Sequence, residues 1–531
     1  MAILLLVGCQ KTTTTDNANE PAAEVNHKLV IAAGDEVTSL DPAFGYDFTQ
    51  CPISIQIHES LLRYDENDQI QPNLASEWEE VDPTTYRYVV RDDVKFSDGT
   101  PMTMDDVLFS IERLRDPELA SYVGWMYDNV KDVKQTGDWE FTVTLKSPDA
   151  LWKHTFATSA GCIVNKAFTT EQGKDYGTLS GKVLGTGPYT LVSWAAAGDV
   201  VLTYNPDYWN AQGTTPDVTD ITFQTIKDES TRVMAAKTGQ VDLIFQTPPD
   251  LIGEVKDGDV TDLLTIPADG VQLLAFNCKT APFDDVNARR AVASAIDIAS
   301  FQESAIGDFG SPTNYLLVPD TLFTFAKSEW ENFQSAAKVY SYDPTAAKQY
   351  LADSSYPDGF DFKLAIDADS IENSLALMIQ QNLKEIGINC EIDKRTNEEH
   401  GSWQFGSDIK DGVRPYQAAL FTWATDFPDP SGVINPIVLS GDDGDGGSNM
   451  ASYANKTVDE LLEKQVTLSD DTERTKLMIQ ALELINDEVP YYVWTHQNFL
   501  IAQNKRLTGL DKVLTPFWSW NLKIDQFTLS K

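Results

Sequence analysis

Asp426 lies three residues after Trp423, inside an apolar, proline-bounded run from Ala418 to Pro430. A lone carboxylate in such surroundings is costly to bury unless a cation pairs with it or donors satisfy it. Three partners could do so: a ligand's cation, an internal arginine, or the backbone of the turn into Pro428. Other candidates for chemistry fail on spacing. The chain holds no Gly-x-Ser-x-Gly elbow, no phosphate-cradling Gly-x-x-x-x-Gly-Lys-Ser/Thr loop and no zincin histidine pair. Gly185-Thr186-Gly187-Pro188 lacks a third glycine, and Pro188 has no N–H with which to start a phosphate-binding helix. Asp92-Asp93, Asp105-Asp106 and Asp284-Asp285 are adjacent pairs, and adjacent residues face different ways on either element. Asp442 to Gly447 hints at calcium but lacks the closing glutamate of an EF-hand loop, and reads as a solvated loop. The five histidines are scattered, and no Cys-x-x-Cys or His-x-x-x-His occurs. No catalytic residue, metal or cofactor is expected.

The elements that must position Asp426 are those of an α/β chain. Tyr86, Tyr88 and Val90 alternate with Arg87, Val89 and Arg91 as in a half-buried strand. Asp98-Gly99 turns the chain, Pro101 stops the strand, and Thr103 with Asp106 forms a helix start of capping-box type. Val107, Leu108, Ile111 and Leu114 give that helix its apolar face. Trp139, Phe141, Val143 and Leu145 form another alternating strand, and Tyr189–Trp194 with Val200–Tyr204 flank the hairpin signal Gly198-Asp199. Phe362, Leu364 and Ile366 precede a helix marked by Leu375, Met378, Ile379, Leu383 and Ile386 and ended by Gly387. Ile388, Cys390 and Ile392 then alternate again. This is a βαβ unit with an expected right-handed crossover. Two further helices follow, one capped by Thr457 with Glu460 and one centred on Leu477 to Ile485.

With 531 residues the chain exceeds one core, and two or three domains are expected. A net charge of -41 repels nucleic acid and suits a solvated surface. Beyond the N-terminus no run approaches the roughly 18 apolar residues of a membrane span. Gln10 to His27 is polar, threonine-rich and aperiodic, and reads as a tether.

Several blocks, each weak alone, occur in an order that carries a resemblance. Val94-x-Phe-Ser-Asp-Gly-x-Pro-x-Thr-x-x-Asp-Val107 follows the aromatic strand that ends in Arg91. Leu184-Gly-Thr-Gly-Pro-Tyr189 and Asn205-Pro-Asp-Tyr-Trp209 come next, then Gly239-Gln-Val-Asp-Leu243, Leu274-Ala-Phe-Asn277 and Pro282-Phe-Asp-Asp285. Arg289 through Asp297, Trp423-Ala-Thr-Asp426-Phe-Pro-Asp-Pro430 and Ser452-Tyr-Ala-Asn455 complete the series. From about Lys28 onward the chain resembles the family 5 extracellular solute-binding proteins, the peptide- and nickel-type receptors of bacterial ABC importers. Leu6-Val-Gly-Cys9, after a short apolar run, resembles a bacterial lipobox in which Cys9 carries the lipid. No basic residue precedes that run, so the start codon is expected upstream of Met1. Export would permit disulfides, and Cys51, Cys162, Cys278 and Cys390 allow three connectivities or none.

The resemblance implies a two-lobed, periplasmic-binding-protein-like α/β fold of class II, cluster C type, with an extra subdomain in lobe one. It implies a signal over 1–9, a tether over 10–27, lobe one over 28–270 plus 493–531 with an insertion near 73–183, and lobe two over 271–492. The crossing strands would be Leu273 to Asn277 and Tyr491 to Asn498. Asp426 would receive a peptide's α-ammonium, with Trp423 as an aromatic wall. Backbone groups of Thr422 and Ala424 would pair with the ligand as an added strand, faced by Tyr46, Asp47 and Phe48. Tyr122 and Trp494 are further aromatic candidates. Where dipeptide binders carry an arginine for the ligand carboxylate this chain reads Ile371-Glu-Asn-Ser374, and Leu420 stands three residues before Trp423. The expected function is that of a monomeric, lipid-anchored, extracytoplasmic receptor. It captures oligopeptides and passes them to an ABC permease and its ATPase subunits, on the periplasmic side or the outer face of the cell membrane. An oligosaccharide, opine or metal chelate is the alternative ligand, and a surface enzyme on the same fold is the alternative class. A buried acid facing the ligand separates peptide from sugar.

Overall fold

Strands in the middle of this protein show almost no polar alternation, because both of their faces are buried. In the computed structural model, which describes residues 26–530 except 197, 212, 312–315, 368–369, 407–408, 411 and 445–446, one mixed sheet dominates. Among the described residues it has eleven strands: β1 (Lys28–Ala33), β2 (Tyr189–Trp194), β3 (Val200–Tyr204), β4 (Asp220–Thr225), β5 (Leu243–Ile244), β6 (Thr261–Phe276), β7 (Gly310–Ser311), β8 (Asp361–Ile366), β9 (Asn389–Lys394), β10 (Ala418–Trp423) and β11 (Tyr491–Asn504). The order is β9-β8-β10-β6-β11-β5-β1-β4-β3-β2, with β7 also on β11. Leu274 and Phe276 of β6 and Leu420 of β10 enter one apolar core, while Leu273, Ala275 and Phe421 enter the core on the opposite face. A two-residue side-chain period therefore feeds two cores at once, as expected of strands covered on both sides.

The long antiparallel pair β6–β11 joins the two halves of the sheet. Both strands outrun the sequence expectation, since β6 begins at Thr261 and β11 continues to Asn504. The strand passes through Pro267-Ala-Asp-Gly270 with a register shift between Pro267 and Val271. A proline is tolerated at such an irregularity because a ladder bond is already missing there. The βαβ unit forms as expected from β8, the helix Ser370–Lys384 and β9, with β8 and β9 parallel; Gly387 leaves the helix at φ 87°.

A second sheet, ordered Ala75–Asp82, Thr85–Val90, Glu140–Leu145, Val130–Gly137, builds its own core from Tyr86, Tyr88, Phe141 and Val143. Trp139 falls in the turn before its strand. The capping box at Thr103 is present: the Thr103 hydroxyl donates to Asp106 at 2.6 Å and accepts from the Asp106 N–H at 3.3 Å. Further on, Asn455 caps the helix Lys456–Gln465, accepting from the N–H groups of Thr457 and Val458; Thr457 sits inside the first turn. An amide oxygen at the N-cap satisfies the N–H groups of the first turn, whereas a hydroxyl already inside that turn does not face them. All four described cysteines are free thiols, and three of them are buried. Cys9 lies outside the described residues.

Candidate functional site

The loop after β10 places the acids. Phe427 leaves the main sheet and inserts into the core of the second one, stacking on His154 at 5.6 Å and tilting against Trp125 at 6.1 Å. Two residues later, the fully buried Asp429 meets the equally buried Arg474, with Arg474 Nη1 2.9 Å and Nη2 3.0 Å from its oxygens. Arg474 holds the Asp429 carboxyl well below the ordinary carboxylate range against the opposing effect of burial. Gly432 closes the turn: a Cβ there would lie 1.8 Å from Thr425 Oγ1, so no other residue fits. The internal arginine that could have satisfied Asp426 is thus spent on Asp429.

Asp426 faces a cavity of about 290 Å³. Among the described residues its one side-chain partner is the Tyr46 hydroxyl; desolvation pushes its pKa up to about 6, and the Tyr46 hydrogen bond opposes that rise. No cation pairs with it among the described residues. Tyr46 itself leans on Trp520 at 5.6 Å, and Phe48 packs between Phe499 at 5.5 Å and Trp518 at 5.7 Å. The Trp423 indole N–H donates to the Gly432 carbonyl at 3.2 Å, which fixes the ring as one cavity wall. Thr422 Oγ1 donates to Gln272 at 2.8 Å, and the Thr422 carbonyl accepts from the Gln404 side chain at 2.6 Å. On the other side of β10, β8 pairs only with Ala418 and Ala419, so among the described residues no strand covers that edge from Leu420 onward.

The structure therefore brings Tyr46, Asp47, Phe48, Thr422, Trp423, Ala424 and Asp426 to one cavity. It leaves two expected residues out. Tyr122 is 60% exposed and stacks edge-on against Phe44 at 5.5 Å, away from the cavity. Trp494 is 2% exposed and belongs to a core, parallel to Phe309. Asp47 lines the cavity but is satisfied, since it accepts the N–H groups of Thr49 at 2.7 Å and Gln50 at 2.6 Å at the head of the helix Gln50–Ile57.

Sequence reasoning missed Asp269, Gln404, Phe405, Phe517 and Trp520, which also line the cavity. Asp269 left a signal, an acid-glycine pair interrupting an apolar strand; the others come from distant segments that only the fold unites. A larger cavity of about 380 Å³ shares Phe48 with this one. Its two cations are internally engaged, Lys227 with Glu36 at 2.5 Å and Arg232 with the Ile226 carbonyl at 2.7 Å, and its acids Asp35 and Glu229 are exposed. The smaller cavity, with its unpaired carboxylates, is the better candidate for recognition. No group of three or more His, Cys, Asp or Glu side chains among the described residues could hold a metal ion, and Asp443 of the acid-glycine loop pairs with Lys279 and Arg414 instead.

Comparison with known proteins agrees with this fold. The chain is 27% identical to the probable D,D-dipeptide-binding periplasmic protein DdpA of Escherichia coli K12, over 92% of each chain. The structure of HbpA2 from Haemophilus parasuis superposes with a TM-score of 0.80 at 21% identity, covering 95% of this chain and 100% of that one. DppA from Helicobacter pylori, solved in complex with the peptide STSA, superposes with a TM-score of 0.75 at 21% identity, covering 95% and 98%. The pattern of the bacterial extracellular solute-binding proteins, family 5 (middle), matches residues 69–445, and the chain belongs to that family.

Proposed function

We propose that the protein is the substrate-binding subunit of an ABC importer and captures oligopeptides by their free α-ammonium in the cavity around Asp426. The observation that carries this reading is a desolvated carboxylate with a hydroxyl partner but no cation, held by a loop whose other acid is already paired. Such a group destabilises an empty site and is stabilised by an incoming ammonium. The strand-free edge of β10 offers backbone groups for pairing with an extended peptide, which gives affinity without reading side chains. Gln404 must turn away for a ligand N–H to reach the Thr422 carbonyl. No lysine or arginine among the described residues lines the cavity, so a carboxylate belongs elsewhere, and a longer peptide has room to continue past Phe48 into the adjoining cavity.

In this reading the lobes are residues 28–270 with 493–531, carrying the insertion near 73–183, and residues 271–492. They close on the ligand because it touches both and so binds the closed state better than the open one. Cys9 anchors a monomer to the membrane by lipid, and the loaded receptor delivers to the permease. Mass spectrometry of small molecules released by denaturing the purified protein tests the assignment. Linear peptides with free N-termini are expected; a sugar, opine or metal chelate would overturn it.

A further inference from the structure

Three carboxylates line the Asp426 cavity, and they differ in what they already hold. Asp47 is occupied by backbone donors. Asp269 is 5% exposed, and among the described residues its carboxylate has no hydrogen-bond donor beyond its own backbone N–H. It sits in β6 where the register with β11 slips between Pro267 and Val271, and Gly270 beside it passes close to Gln497. That irregularity turns an acid out of a strand that is otherwise apolar and into the cavity. Desolvation pushes its carboxyl well above the ordinary range, and the charge of Asp426 pushes it in the same direction. No cation acts on Asp269 among the described residues.

Two desolvated carboxylates that repel each other are an unfavourable arrangement in an empty cavity. Among the described residues no cation compensates for Asp269, whereas Arg474 does compensate for Asp429. The cavity that the two acids line also has aromatic walls, Trp423 and Phe405 among them. Aromatic faces suit the stem and head of a cationic side chain. The volume is at the low end for small-molecule pockets, roughly 300–1,000 Å³, which suits one residue and not a whole peptide.

We propose that this cavity recognises a dicationic first residue, with the α-ammonium at Asp426 and a basic side chain of the same residue at Asp269. The inference rests on the reading of Asp426 as the ammonium partner, and it narrows the ligand class to peptides that begin with lysine, ornithine or a similar residue.

Calorimetric titration with four probes separates the two ideas: Lys-Ala-Ala-Ala, its norleucine analogue Nle-Ala-Ala-Ala, and the N-acetylated form of each. On the wild type the free lysine peptide should bind about tenfold or more tighter than the norleucine peptide, the least expected for a close, desolvated charge pair. In Asp269→Asn that preference should fall to about one, while the loss on acetylation remains. Equal affinity of the two free peptides, with acetylation still harmful, overturns the role of Asp269 and leaves that of Asp426 standing. Indifference to acetylation overturns both, as does failure of all four peptides to bind. The wild-type comparison needs no variant, so it stands even if Asp269→Asn folds poorly. Calcium titrated alone should give no heat; saturable calcium binding lost in Asp269→Asn would replace the basic side chain with a metal ion.

Discussion

Replacing Asp426 with asparagine keeps the shape of the side chain and removes its charge. Burial raises the folded-state pKa of this group from 3.8 to about 6. Because the folded pKa lies above the unfolded one, the folded protein binds more protons between those values, and stability falls as pH rises through the window from about 4 to 6. Two units correspond to about 3 kcal/mol. Solvent at the mouth of the cavity lowers that to about 1–3 kcal/mol for a half-buried group. Asp426→Asn should therefore be more stable than the empty wild type by that amount at pH 7, with the gap closing by pH 4. Urea melts at the two pH values measure it. Binding should move the other way. A free-amine peptide should lose about 2–5 kcal/mol of affinity in the variant, the usual result of breaking a buried charge pair, and N-acetylation should cease to matter. An incoming ammonium also restores a low pKa, so wild-type binding at pH 6 should release protons, read as a dependence of the calorimetric heat on the buffer's ionisation enthalpy. If Asp426 only caps the turn into Pro428, the variant should instead lose about 1 kcal/mol of stability. It would also keep its discrimination against acetylated peptides and release no proton, and that outcome would refute the reasoning.

Arg474→Met leaves Asp429 buried and unpaired and should cost about 3–5 kcal/mol in denaturant melts, whereas replacing both partners with apolar residues should cost much less. His154 is buried and neutral, its pKa pushed down to about 3 by desolvation, so its contribution to stability is present above about pH 6.5 and is lost as pH falls toward 3. His154→Gln should flatten the acid limb of the stability curve. Small-angle scattering should give a smaller radius of gyration at saturating peptide than without it; an unchanged profile would mean a rigid module. Expressed from its native start, the protein should partition with membranes, and Cys9→Ser should appear in the soluble fraction.

Much of this architecture is written in local patterns. The alternation of Tyr86, Tyr88 and Val90, the Thr103–Asp106 cap and the βαβ unit ending at Gly387 are short-range consequences of residue choice, and they form as the sequence implies. The extent of β6 was not legible, because a proline and a glycine within four residues look like an end when they are in fact a slip in register. Trp494 misled for a physical reason: an aromatic on a strand buried on both faces carries no mark of which face is core and which is cavity. The isolation of Asp426 among apolar residues was visible in the sequence, but the pairing of Asp429 with Arg474, which leaves Asp426 without that cation, joins residues 45 positions apart. Trp520 and Phe405 reach the cavity by tertiary packing alone, and no spacing rule could have found them.

The most direct measurement of the central claim is a crystal structure of the protein with the peptide it retains through purification. The peptide's terminal nitrogen should lie within about 3 Å of the Asp426 carboxylate, with its backbone paired along the free edge of β10. A ligand seated with that carboxylate facing water, or with no amine at Asp426, would contradict the account.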